Sequence, residues 1–240
     1  MEHWAKLVTA VAAALSAVAW PAVFGGALIA FRKEISSFLT RLPSFLDRLR
    51  KMKIAGLVTE LDAVADKASS TGEVTIEQTR AAAQIAMVSR ELGDDQLFSE
   101  LDKLCLQYDT LRRTMQAGSS RTLEMTRIIA KMRALGPSTT SRIEVYKGSG
   151  SPGSRLAAVA MMQMDPSQAD LEWLVQRFRV EAPFIFYHAS LALTNAANSR
   201  AGSERLEVIE RARNARAIIQ SFDGKPDQET LNVLVHLTTE

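Results

Sequence analysis

Two hydrophobic patterns divide the chain. From Leu7 to Phe31 there are 25 consecutive residues without a charge, whereas after Arg32 apolar residues recur every third or fourth position. At 1.5 Å rise per residue the first stretch makes roughly 37 Å of helix, enough to cross a hydrocarbon core about 30 Å thick with tilt. The triplet Ala17-Val18-Ala19 has the small residues of a signal-peptide cleavage site, but the start MEHWAK is barely basic and the apolar run continues past Ala19. The pattern therefore predicts a retained transmembrane helix, with residues 1–31 forming a short tail and the span. Beyond it, Ile35, Leu39, Leu42, Leu46 and Leu49 share one helical face, interrupted by Pro43. Leu57, Leu61, Val64 and Ala68 repeat the spacing before the loop SSTGE. A helix from about Ile76 to Leu92 ends at Gly93, and Leu97, Leu101, Leu104, Tyr108, Leu111 and Met115 hold four-three spacing until Gly118. Met125, Ile128, Met132 and Leu135 mark a further helix that ends at Gly136-Pro137.

Residues 137–152 break this pattern. RIEVY has strand character without a partner run, and the Gly-Ser density at 148–154 lacks the Lys-Ser/Thr of a phosphate loop, so the segment reads as a linker. Ser151 and Pro152 suit the N-cap and first turn of the next helix, a position able to hold an anion. Short Ala-rich helices then follow, at about 153–164, 168–179, 183–197, 203–221 and 226–238, with DPSQ and GKPDQ as turn-and-cap signals. They look like helix pairs stacked as in HEAT-type repeats, by analogy, since no internal period is found. The expected fold is all-α: a single N-terminal transmembrane helix (1–31), a basic amphipathic juxtamembrane segment (32–53), a helical bundle (54–136), a linker (137–152) and a HEAT-like helical stack (153–240).

Charge sets the orientation. Residues 32–53 carry seven Lys or Arg against two acids, while Lys6 alone precedes the span. Basic flanks stay in the cytoplasm, which puts the N-terminus outside a bacterial inner membrane and the helical body inside. Arg32, Lys33, Arg41, Arg48, Arg50, Lys51 and Lys53 are then candidates to meet anionic lipid headgroups. A formal net charge of +2 calls for no nucleic-acid partner. The lone cysteine, Cys105, falls in an apolar stripe and reads as a core residue. Within the span, Ala10, Ala13, Ala14, Ala17, Ala22, Gly26 and Ala30 form small-residue pairs four apart, spacing that lets membrane helices associate.

Chemistry is sparse. Three histidines and one cysteine supply no evident zinc set, and no cofactor motif occurs. Arg179 and His188 are separated by eight residues, too far apart for the Arg–His motif of HEPN-type ribonucleases. No catalytic residue is assigned. Arg121 and Thr122 fall in the first turn of a helix, where an Arg opposes the helix dipole and is free to reach another helix or a ligand. Tyr187 and His188 stand out in PFIFYHASLAL.

The segments TMQAGSSRTLEMTRIIAKMRAL (114–135) and SPGSRLAAVAMMQMDP…LEWLVQRF…APFIFYHASLAL (151–193) resemble a helical module of bacterial proteins that accompanies conflict or signalling effectors. The resemblance covers about a third of the chain. With the span, it implies a membrane-anchored, self-associating helical interaction protein, extending to a membrane-acting effector of antiphage defence. The expected partners are the membrane, further copies of the chain and a cytosolic protein. A membrane-tethered helical nuclease or enzyme subunit and a monomeric membrane adaptor are the alternatives.

Overall fold

The structure is a computed structural model that describes residue 4 and residues 30–68, 72–224 and 227–239. Every regular element among the described residues is helical. The chain divides into two compact units, Met1–Lys53 and Ile54–Glu240. The expected span and its small residues Ala10, Ala13, Ala14, Ala17, Ala22 and Gly26 lie outside the described residues; Ala30 is exposed. No helix among the described residues is long and apolar enough to cross a membrane.

Helix α1, Arg32–Asp66, runs uninterrupted with Pro43 inside it. In the first unit Arg32, Lys33, Arg48, Lys51 and Lys53 are exposed; the side chains of Arg41 and Arg50 lie outside the described set.

In the second unit, the end of α1 contributes Leu57, Leu61 and Val64 to the core. Helix α2 (Ile76–Leu92) packs on α4 (Ser119–Thr139), which also packs on α3 (Asp94–Thr114). The α3 stripe is buried as its spacing predicts, Leu97 and Tyr108 being fully enclosed. Cys105 is part of the same core, and burial pushes its thiol up to about 12. Helix α6 (Pro152–Met164) is apolar almost all round and joins the two halves, packing on α3 and α4 on one side and on α8 (Pro183–Ser199) on the other. Gly153 permits the approach to α3, because a Cβ there would collide with the carbonyl oxygen of Cys105.

Most of the stretch expected to be a linker is helical, with only residues 148–151 outside a helix. Helix α4 continues through Gly136 and Pro137 to Thr139, a 3-10 turn spans Thr140–Arg142, and α5 occupies Ile143–Lys147. Pro137 has no N–H to give, yet packing compensates: a Cβ at Gly136 would lie 3.4 Å from Met161 Cα, so α6 closes tightly here. Ile143 and Tyr146 are buried, and Tyr146 Oη donates to Asp102 Oδ1 at 2.8 Å. Tertiary burial thus overrides the strand propensity of RIEVY.

Beyond α6 come a 3-10 turn at Pro166–Gln168, then α7 (Leu171–Val180), α8, α9 (Gly202–Gln220) and α10 (Gln228–Thr239). The expected caps form: Ser151 Oγ accepts from Ser154 N at 3.2 Å, and Asp165 Oδ1 of the DPSQ turn from Ser167 N at 3.2 Å; Asp170 Oδ1 adds a further cap, accepting from Trp173 N at 3.0 Å. The anion at the α6 N-terminus is the protein's own Asp109, which accepts from Gly153 N at 2.8 Å. Helix α8 packs against α6, α7, α9 and α10 and forms the centre of this half.

Candidate functional site

Arg133 is the least expected residue of the core. It sits on α4 one position past Met132, and only 1% of its surface is exposed. Its Nε donates to Gln163 Oε1 on α6 at 2.7 Å. Nη1 donates to the Glu73 carbonyl at 3.3 Å and to Gln78 Oε1 at 3.4 Å, and Nη2 donates to the Gly72 carbonyl at 2.5 Å. Every one of these acceptors is neutral, so among the described residues the cation has no carboxylate as hydrogen-bonded counter-ion. Burial pulls its pKa down to about 10, and it stays charged at neutral pH.

His188, on the first turns of α8, completes the cluster. Its Nδ1 lies 3.2 Å from Arg133 Nη2. A guanidinium can only donate, so Nδ1 must accept and the imidazole proton resides on Nε2. The ring is 1% exposed, and Nε2 has no hydrogen-bond partner among the described residues. Burial and the Arg133 charge hold the pKa well below the ordinary 6.5, so the ring is neutral. Gln163 locks the arrangement by donating from Nε2 to the His188 carbonyl at 2.7 Å. Gly72, at φ 68°, closes against the ring; a Cβ there would lie 2.9 Å from His188 Cε1 and 3.0 Å from Tyr187 Cε1.

His188 lines a cleft of about 260 Å³. Arg112 enters from the last turn of α3, and Arg121, Thr122, Met125 and Thr126 from the first turns of α4. Phe184 and Tyr187 enter with His188 from α8, and Asp227 and Glu229 from the start of α10. The four residues singled out in the sequence as interaction or ligand candidates, Arg121, Thr122, Tyr187 and His188, therefore line one concavity.

Local folding explains why Arg121 is tolerated where the helix dipole disfavours it. Gly118 is the N-cap of α4 and offers no side-chain cap. Arg121 Nη1 reaches back to the carbonyl of Met115, the C-cap of α3, at 3.3 Å, and so satisfies a helix-end acceptor. Its Nε is buried without a partner among the described residues. Arg112 Nη1 donates to Tyr108 Oη at 3.3 Å, and Tyr108 packs against Phe184 with ring centroids 6.0 Å apart. Asp227 caps α10, accepting from Thr230 N at 3.2 Å.

Sequence reasoning missed Arg133, Gln163, Gly72 and the α10 carboxylates. A signal for Arg133 was present: Ile129, Arg133 and Gly136 step by four and three along a helix whose neighbouring face is also apolar. A charge in that phase marks a buried polar cluster. Among the described residues no group of three His, Cys, Asp or Glu side chains stands where it could hold a metal.

No protein-family model, curated protein or solved structure matches the chain.

Proposed function

We propose that this chain is a non-enzymatic, single-span membrane protein whose helical body reads a signal in the α3–α4–α8–α10 cleft and which self-associates through its span. In this reading the N-terminus lies outside the bacterial inner membrane and the body in the cytoplasm. The observation that carries it is the cleft itself, where residues distant in sequence converge on a buried, unsatisfied imidazole N–H. Such groups are costly unless something completes them. The charge-free stretch 7–31, its small-residue pairs and the basic segment after it support the anchor and the assembly. Occupancy of the cleft would bias assembly of the span, as suits a membrane-acting effector of antiphage defence. A tethered nuclease would need His188 as proton acceptor. Its Nδ1 is engaged by Arg133 and its proton is on Nε2, which suits a hydrogen-bond donor instead.

The test is the native mass of the full chain in detergent, beside an Ala14→Leu/Gly26→Leu variant. A defined oligomer that falls to a smaller species in the variant is the expected result. Monomers in both would remove self-association and leave an anchored adaptor.

A further inference from the structure

The cleft's chemistry specifies more than that something binds. One buried polar group among its lining residues is the Nε2–H of His188, fixed as a donor because Arg133 occupies Nδ1. A second buried donor, Arg121 Nε, is also unmatched, and Arg112 lines the same cleft. Directly behind the imidazole stands Arg133, a buried cation whose hydrogen-bond acceptors are all neutral. Removing a charge from water is costly unless a counter-charge compensates. Among the described residues no carboxylate pairs with it. The carboxylates of the cleft come from α10, and Asp227 is already engaged in capping Thr230.

Resting on the reading of this cleft as a ligand site, we infer that it takes a compact oxyanion, a phosphate or carboxylate group of a small molecule, whose oxygen accepts from His188 Nε2 and Arg121 Nε. Charge-assisted bonds of this kind are about twice as strong as neutral ones. The anion also supplies the counter-charge that Arg133 lacks, through the imidazole between them. The same logic limits the ligand. Asp227 and Glu229 disfavour an extended polyanion and favour a single oxyanion on a molecule that carries hydrogen-bond donors at its other end. Phe184 and Tyr187 offer aromatic surface between the two poles. A volume of about 260 Å³ admits one compact molecule rather than a polymer segment.

The experiment uses the full chain in detergent, labelled with nitrogen-15 histidine and titrated with inorganic phosphate against chloride at matched ionic strength. The chain has three histidines, and His188→Gln identifies the signal of interest. The Nε2–H resonance of His188 is expected to move saturably with phosphate and not with chloride. Arg121→Gln, which keeps the imidazole, is expected to weaken the apparent phosphate affinity by about tenfold. A parallel titration with phosphatidylglycerol or phosphatidylcholine vesicles separates the two sources of the group. Movement with soluble phosphate assigns a soluble ligand, and movement with phosphatidylglycerol alone assigns a lipid headgroup. The proposal is overturned if phosphate and both lipids leave the resonance unmoved. That is the result expected if the N–H is spent on the Phe184 ring, whose centroid lies 4.5 Å from that of the imidazole. An equal response in Arg121→Gln overturns it as well. Neither outcome depends on the native mass, so a failed assembly and a failed oxyanion site are told apart.

Discussion

Two buried arginine clusters solve the same electrostatic problem in opposite ways. At the junction of α6 and α7, Arg155 Nε and Arg177 Nη1 both donate to Glu181 Oε1, the second at 3.3 Å, and the Glu181 side chain is only 3% exposed. Arg177 also lies 4.3 Å from the Trp173 ring centroid. These cations share one buried carboxylate, so each guanidinium has an anionic partner although the trio keeps one net positive charge. Arg133 instead spreads its charge over two backbone carbonyls, two side-chain amides and one imidazole nitrogen. Polar satisfaction is nearly complete there, while charge compensation is not. The first cluster therefore reads as a structural fastener, whereas in the second the cation has no anionic hydrogen-bond partner among the described residues.

The sharpest way to break this comparison is to neutralise Glu181. Glu181→Gln strands two largely buried cations against a neutral amide, and unfolding in denaturant should show a loss of about 3 kcal/mol. A loss within the range of ordinary surface changes would mean that the Glu181 cluster contributes little. Arg133→Met should cost less, about 2 kcal/mol. It orphans acceptors such as the Gly72 carbonyl and Gln163 Oε1, but relieves an uncompensated buried charge. If it destabilised more than Glu181→Gln, Arg133 would be the better compensated of the two.

The smallest effect is in pH. The folded-state pKa of His188 is depressed by burial and Arg133, so below 6.5 the unfolded chain binds a proton that the native chain does not. The associated stability is full above 6.5 and falls with decreasing pH, by up to about 1.4 kcal/mol per unit, until the folded imidazole itself titrates. Urea midpoints of the wild type and His188→Gln between neutral and mildly acid pH should diverge in that sense. Parallel curves would show that His188 is not held neutral.

Several elements were legible because their signals are local. The four-three spacing of Leu97, Leu101, Leu104 and Tyr108 carries over directly to a buried face of α3. Ser151-Pro152 start α6 as capping chemistry requires. The segment 137–147 was misread for the converse reason. Gly-Pro and β-branched residues speak against helix locally, and only packing against α6 and the Tyr146–Asp102 hydrogen bond outweigh them. At the site, Arg121 and His188 stood out singly, whereas Arg133 was passed over because a charge in a helix is ordinarily solvated.

What the sequence determined by itself is the helical nature of the body, most helix boundaries and the residues whose chemistry is out of place. Each depends on interactions within a few positions of the chain, where apolar period and cap residues act directly. That α4, α6 and α8 meet around one guanidinium was decided by tertiary structure alone. So was the state of His188: its tautomer is fixed by an arginine 55 residues away and its neutrality by burial, and neither exists until distant helices exclude water together.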